Sequence, residues 1–335
     1  MAGLVCLVVV ASPPLLAQQA NEIHYRTSAD DTEQPAMFYT PATAQEVPLM
    51  VALHTWSGDY QQTYHQAIEQ WCIENGWAYI HPNFRGPNKR PAATGSDLVV
   101  KDIASAVKYA QANAPIDESA IYLVGTSGGG HAALMMAGRH PEIWAGVSAW
   151  VPISDLAAWY RECKTADLGY AEDIVASCGG RPGANPQVDK QYRKRSPLTY
   201  LKQAKGTQVH IHAGIRDGHD GSVPVSHSLR AFNQLAEAQD HISNEDIRFF
   251  VEHAAVPSHL QTRIEDSSYG ENRPLFRRTS GNATITLFDG AHELIAEAAL
   301  NWIDQVQKPV ECEPAVNPPH RPGSISGGQI NPYRR

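Results

Sequence analysis

Beyond its first twenty residues the sequence has no apolar run long enough to cross a membrane, which excludes a helical membrane span in the body of the chain. Positive charge is in deficit. Lys and Arg number 27 against 35 Asp and Glu, a net charge of −8, and an acidic body argues against nucleic-acid partners and anionic membrane surfaces. Internal repeats are absent, which sets aside solenoid architectures. Histidine is plentiful, at 15 residues. His210 and His212 share one face of a strand, with His219 and Asp220 nearby, but this spacing fits no established zinc pattern. The sequence therefore calls for no metal and no cofactor.

The hydrophobic share, 42% over 335 residues, suffices for one large core. Met1–Ala20 carries no charge and has an apolar stretch from Leu4 to Val10, followed by small and polar residues. It reads as a secretory signal peptide cleaved after Ala17 or Ala20, which places the protein outside the cell or in the periplasm. Residues 307–335 are rich in Pro and Gly, lack periodicity and read as an irregular tail. That leaves 21–306 as the folded domain.

Ile121-Tyr122-Leu123-Val124 is a strand-forming run, and His131–Met136 is a helical apolar pattern. Between them lies Gly125-Thr126-Ser127-Gly128-Gly129. A strand that reverses into a helix through such a bend holds its serine exposed, with the helix N-terminus behind it. Ser127 is the candidate nucleophile. A nucleophilic serine needs a base and an acid that orients the base. Ala283–Phe288 alternates like a strand and ends in Asp289-Gly290-Ala291-His292, so His292 is the candidate base. Gln208–Ala213 is another strand, and Gly214-Ile215-Arg216-Asp217 follows it. Asp217 is preferred as the acid because it lies nearer the strand end, with Asp220 kept open. The order Ser, Asp, His is that of an α/β-hydrolase. The oxyanion hole is assigned to the backbone N–H of Gly128 and, after the strand Pro48–Leu53, to that of Trp56, with Thr55 as the alternative.

The expected fold class is accordingly α/β, a mostly parallel sheet with helices on both faces. Strands are expected near 22–27, 36–40, 47–53, 77–81, 119–124, 144–150, 208–213 and 283–288, with an extra one at 246–251. Helices are expected near 60–75, 97–112, 128–139, 224–238 and 291–305. The segment 152–200 is read as a loop-rich lid, with Trp150, Trp159, Tyr160 and Tyr170 lining an apolar pocket and the loop 254–282 forming a second wall. With the leader removed, Cys72, Cys163, Cys178 and Cys312 remain. In an exported protein they pair readily. Cys163 and Cys178 are expected to close the lid segment, a loop worth about 3 kcal/mol by chain entropy. Cys72 is read either as a partner of Cys312 or as a buried thiol on its helix's apolar stripe.

Several stretches resemble the catalytic domain of the prolyl oligopeptidase family and, more loosely, the dienelactone-hydrolase-like esterases. They are Asn83-Phe84-Arg85-Gly86, Asp102–Tyr109, Gly125–Gly129, Ser196-Pro197-Leu198, Gly214-x-x-Asp217 with Val223-Pro224, and Gly290-Ala291-His292. Together they span about residues 47–306. The resemblance implies an acyl-transfer serine hydrolase acting on a small ester or a short peptide. With fewer than 50 residues ahead of the first core strand, the propeller that precedes this domain in full-length members is not expected in this sequence. No amine-anchoring glutamate pair is recognisable. The leading expectation is thus a secreted serine hydrolase cleaving a carboxylic ester. A serine peptidase acting on short peptides comes next, and a non-catalytic hydrolase-fold binding protein is the alternative of a different class.

Overall fold

In a computed structural model that describes residues 19–204 and 206–307, the apolar runs of the sequence become one nine-stranded sheet. The described residues open with a hairpin, β1 (Asn21–Arg26) and β2 (Glu33–Tyr39), paired antiparallel. Then strands and helices alternate: β3 (Val47–Leu53), α1 (Gln66–Glu74), β4 (Ala78–Pro82), α2 (Asp97–Asn113), β5 (Ile116–Thr126), α3 (Gly128–Arg139) and β6 (Gly146–Trp150). A helical excursion follows, α4 (Leu156–Thr165), α5 (Tyr170–Cys178) and α6 (Pro186–Lys194). The chain returns through β7 (Gln208–Gly214), α7 (Ser226–Leu235), α8 (Asn244–His253), β8 (Pro274–Ser280), β9 (Ala283–Phe288) and α9 (Ala296–Gln307).

The strand order is β1-β2-β4-β3-β5-β6-β7-β9-β8. From β4 to β9 neighbours run parallel, and antiparallel pairs close both edges. Central strands covered on both faces must be apolar throughout, and Leu49–Leu53 and Leu123–Val124 are fully buried. From β3 the chain turns to β4 on one side, and later places β5 on the other. The strand order therefore reverses between β3 and β5. In open α/β sheets the crevice for ligands opens at such a point, beyond the strands' carboxyl ends. Trp56 and Ser127 lie just past those two ends.

Helix α2 shows how local sequence sets this frame. Ser96 caps it by accepting from Val99 N–H at 3.3 Å, and Ile103, Ala106, Val107 and Ala110 face the core. Asp102, on the same face, would be costly unpaired. It accepts from Arg85 Nε at 2.6 Å and from Thr27 Oγ at 2.5 Å, while Arg85 also binds Asp30 in the β1–β2 turn. The hairpin is thereby fastened to the helix behind β4. Burial pushes the Asp102 carboxyl up, against the pull of Arg85 and Thr27.

Several expectations are corrected. Residues 246–251 belong to α8, not a strand. Ser243 Oγ accepts from Asp246 N–H and donates to its carboxylate, a reciprocal cap that starts a helix and buries Ile247 and Phe250 on one side. The loop expected at 254–282 contains β8 instead, an edge strand in which Arg277 pairs with Asp266. The segment 152–200 is mostly helical rather than loop-rich. Asp155 and Asn185 cap α4 and α6 through their side chains, and Leu156, Trp159, Ile174, Val188 and Tyr192 supply an apolar cluster of its own. Trp150 lines no pocket there. It is buried under the sheet end, stacked on His212 at 3.8 Å, with its N–H donated to Ser148 Oγ.

Cys163 and Cys178 form no disulfide. Both are free thiols in the apolar cluster of this helical segment, residues 152–200, which forms a cap beside the sheet; they pack as small hydrophobes, and burial pushes each thiol up to about 12. Cys72 is likewise a free thiol, buried on α1, and its expected partner Cys312 lies outside the described residues, as do residues 1–18 of the expected leader and the tail 308–335. At the leader's end, Ala20 is buried and its N–H donates to Glu69 Oε at 2.9 Å.

The core holds histidines that must stay neutral. His65, His81, His131 and His210 each leave one ring nitrogen buried without a partner among the described residues. Burial lowers the pKa of His65 and His210 to about 3 and of His131 to about 4. An unfolded chain protonates these rings near pH ~6.5, so below that value the unfolded state takes up protons that the folded state refuses. Stability is full above ~6.5 and drains as pH falls toward ~4, by about 1.4 kcal/mol per pH unit for each ring. The denaturant midpoint should therefore drop steeply between about pH 7 and about pH 5. A midpoint constant over that range would contradict the neutral assignment.

Candidate active site

At the end of β5 the backbone turns sharply. Ser127 has φ 60° and ψ −116°, a region that costs a residue with a side chain about 1–3 kcal/mol. The surroundings impose it. Ser127 N–H donates to Trp150 O at 2.9 Å, and Ser127 O accepts from His131 N–H at 2.8 Å. The bend tolerates only small neighbours. A Cβ on Gly125 would stand 2.2 Å from Gly129 O, and one on Gly128 would stand 2.5 Å from Trp56 N. The serine is thus lifted off the strand, with α3 starting directly behind it.

His292 lies on the loop after β9 and Asp217 on the loop after β7. The structure brings both to Ser127. Asp217 Oδ2 is 2.7 Å from His292 Nδ1, and His292 Nε2 is 2.8 Å from Ser127 Oγ. A carboxylate only accepts, so Nδ1 carries the hydrogen and Nε2 is left to accept from the serine hydroxyl. The Asp217 side chain is 1% exposed and that of His292 21%. Burial pushes the Asp217 carboxyl up, while the hydrogen bonds from His292 and from the Val223 and Gly218 N–H groups pull it down. Asp220 is elsewhere, at the surface on Arg216 Nε at 3.1 Å. The expansion 218–222 folds over the pair instead of displacing it, since a Cβ on Gly221 would stand 2.3 Å from Asp217 Oδ1.

Thr55 and Trp56, both considered as backbone donors, differ in commitment. Thr55 N–H is held by Gln62 Oε1 at 2.9 Å. Trp56 N–H and Gly128 N–H have no acceptor among the described residues, and the two lie side by side at the bend. Trp56 is held by its carbonyl, which accepts from Asn88 N–H at 2.8 Å. Its indole turns into the cap, where Nε1 donates to Asp173 Oδ2 at 3.2 Å. Chemically, the arrangement offers a hydroxyl next to a base, a buried carboxylate behind the base, and, at the same bend, two N–H groups without an acceptor among the described residues. That set can take a proton from Ser127 and hold a negative oxygen.

Two contributors have no motif in the sequence. Gln62 fixes Thr55 from seven residues downstream, through both its amide oxygen and its nitrogen. Trp159 donates its N–H to Ser222 O at 2.8 Å, which ties the cap to the Asp217 loop. Only the aromatic content of 152–200 signals the second. His210 and His212, weighed as metal ligands, stack on each other at 3.8 Å inside the core, and His219 meets Val251 O at the surface. Among the described residues no cluster of three or more His, Cys, Asp or Glu could hold a metal.

Known proteins resemble this chain in sequence and in fold. The model of the prolyl oligopeptidase family of peptidases matches residues 62–259, more than half the chain. The acylamino-acid-releasing enzyme 2 of Oryza sativa subsp. japonica is 23% identical over 214 residues, 60% of this chain and 27% of that protein. The chain thus spans about a quarter of that relative's length. Among solved structures, the Pyrococcus horikoshii acylaminoacyl peptidase superposes with a TM-score of 0.51 at 20% identity, over 65% of this chain and 35% of its own. An acetyl xylan esterase from Paenibacillus sp. R4 superposes with a TM-score of 0.60 at 18% identity, over 88% and 86%. At such identities these superpositions show a shared fold.

The two candidate carboxylates separate cleanly in a test. Asp217→Asn should leave His292 in the wrong tautomer and slow phosphonylation of Ser127 by a fluorophosphonate by about 10⁴-fold. Asp220→Asn should leave that rate within a factor of a few. The reverse ranking would assign the acid to Asp220.

Proposed function

Because the chain belongs to the prolyl oligopeptidase family and is a serine hydrolase, we propose that Ser127, His292 and Asp217 are its catalytic triad and that it cleaves a carboxylic ester. The contact between Ser127 Oγ and His292 Nε2 at 2.8 Å, backed by Asp217 at 2.7 Å, carries this reading. Ser127 Oγ bonds to the substrate carbonyl carbon while its proton passes to His292 Nε2. The carbonyl oxygen becomes an oxyanion between the N–H groups of Gly128 and Trp56. His292 returns the proton to the leaving alcohol as the carbon–oxygen bond breaks. Water then attacks the acyl-enzyme by the same route in reverse and frees Ser127. Asp217 must be ionised to hold the imidazole, so activity falls as acid protonates it. Because burial raises its pKa, that loss comes at a higher pH than for an exposed aspartate.

An ester is preferred because no paired glutamates stand out to anchor a peptide's amine. The fold likeness to an esterase over most of both chains supports the same choice. The family match favours a second reading, a peptidase acting on short peptides. On either reading we propose that the protein is exported and its leader removed, after Ala17 or Ala20, with Ala17 the preferred site. That site keeps Ala20, whose N–H binds Glu69. N-terminal sequencing of protein recovered outside the cytoplasm should begin at Gln18.

The substrate class is tested with a panel of acetyl, feruloyl and longer-chain esters beside aminoacyl and prolyl amides. Esters should be turned over with the higher kcat/KM, and Ser127→Ala should lower it by about 10⁴-fold or more. Faster turnover of the amides would favour the peptidase. No turnover and no fluorophosphonate labelling would leave a binding protein.

A further inference from the structure

The cap does more than cover the site. Its apolar cluster contains residues from helices α4 to α6, and also Trp56 from the oxyanion loop and Val223 from the acid loop. The two loops that flank Ser127 therefore share one small core with the cap. Each is also gripped by one polar bond. From α5, Asp173 accepts from Trp56 Nε1 at 3.2 Å. From α4, Trp159 donates to Ser222 O at 2.8 Å. The residue after Ser222 is Val223, whose N–H holds Asp217 Oδ1 at 3.1 Å.

Trp159 joins the two grips. Its ring meets Trp56 edge-on with centroids 4.6 Å apart, and lies along Tyr170 at 5.3 Å. Its side chain is buried, and its N–H reaches the acid loop. One indole thus touches the residue whose backbone nitrogen lies against Gly128 and the peptide that precedes the Asp217 anchor. We propose that Trp159 is a positioning residue, a brace between cap and sheet that sets the acid loop and the oxyanion loop in register around Ser127. This inference rests on the triad reading above, since a brace matters to rate only if those loops act in the reaction.

The chemistry requires such a brace. The loop 218–222 bends around Asp217 and His292 so closely that Gly221 leaves no room for a Cβ. A small outward shift of Ser222 carries Val223 N–H away from Asp217 Oδ1 and lets the carboxylate turn from His292. Displacements of about 1 Å in such geometry cost on the order of a hundredfold in rate. Substrate binding need not change, because Trp159 and Trp56 are buried rather than lining an open surface.

The test compares Trp159→Phe with Val188→Ala, a packing change in the same cluster on α6, a helix that supplies neither loop's polar bond. Both proteins are assayed for thermal midpoint, for kcat and KM on one activated ester, and for the rate of Ser127 phosphonylation. Trp159→Phe, which keeps a ring and loses the N–H, should lower kcat and the phosphonylation rate by about ten- to a hundredfold with KM within twofold. Val188→Ala should lower the midpoint and leave both rates as in the parent protein. Equal rates for Trp159→Phe and parent, or rate losses in both variants that simply follow their midpoints, would overturn the brace. A parent protein whose label sits on another serine would overturn the triad reading instead, and the brace with it.

Discussion

The structure turns on one strained residue. Ser127 is held at positive φ because β5 must reverse into α3 within a single peptide, and a relaxed backbone would bury the hydroxyl along the strand. That conformation persists because neighbouring groups over-determine it. Trp150 O holds its N–H, and His131 N–H holds its carbonyl. His131 is itself fixed by donating Nε2–H to Arg195 O at 2.7 Å, and the Arg195 guanidinium binds the carbonyls of Ala93 and Pro91. The cost of the bend is thus spread over β6, the end of α6 and the loop before α2. The glycines around it serve close approach, since β3, β6 and α3 come within contact of the same few atoms.

Around that bend the fold uses two kinds of support. The sheet supplies strand ends. β3, β5, β7 and β9 run parallel, so the loops bearing Trp56, Ser127, Asp217 and His292 all leave the same edge. The cap supplies lateral support, through a small apolar cluster and two indole hydrogen bonds. Aromatic rings suit this role, because each offers a large apolar face and a single N–H that finds a partner when buried. Elsewhere, polar groups are buried at a cost that is offset by pairing, as in the Arg85–Asp102 link between hairpin and helix.

What is legible in the sequence is what local rules fix. The Gly125–Gly129 bend is visible because strand, small residues and helix must follow one another within a few positions. Asp217 and His292 stand directly after strand-like runs, and that places them on the same edge before any tertiary contact is known. What is not legible depends on distant partners. Ile247-Arg248-Phe249-Phe250-Val251 looks like a strand by composition, yet the Ser243–Asp246 cap makes it a helix. The run at 274–280 becomes a strand only because β9 leaves an edge to pair. Cys163 and Cys178 look like a bridge by spacing, but each thiol is drawn into the packing of the cap. The choice between Thr55 and Trp56 as N–H donor rests on the Gln62 side chain.

The central claim is that the strained serine becomes covalently acylated. The direct measurement is a rapid acid quench of the protein with an activated acetyl ester, followed by mass mapping of its peptides. The account predicts one acetyl group, carried on the peptide containing Ser127, which accumulates in the parent protein and is lost when water is given time to act. It predicts no such adduct in Ser127→Ala. An acetyl group on another residue, or turnover of the ester with no acylated peptide at any quench time, would contradict it.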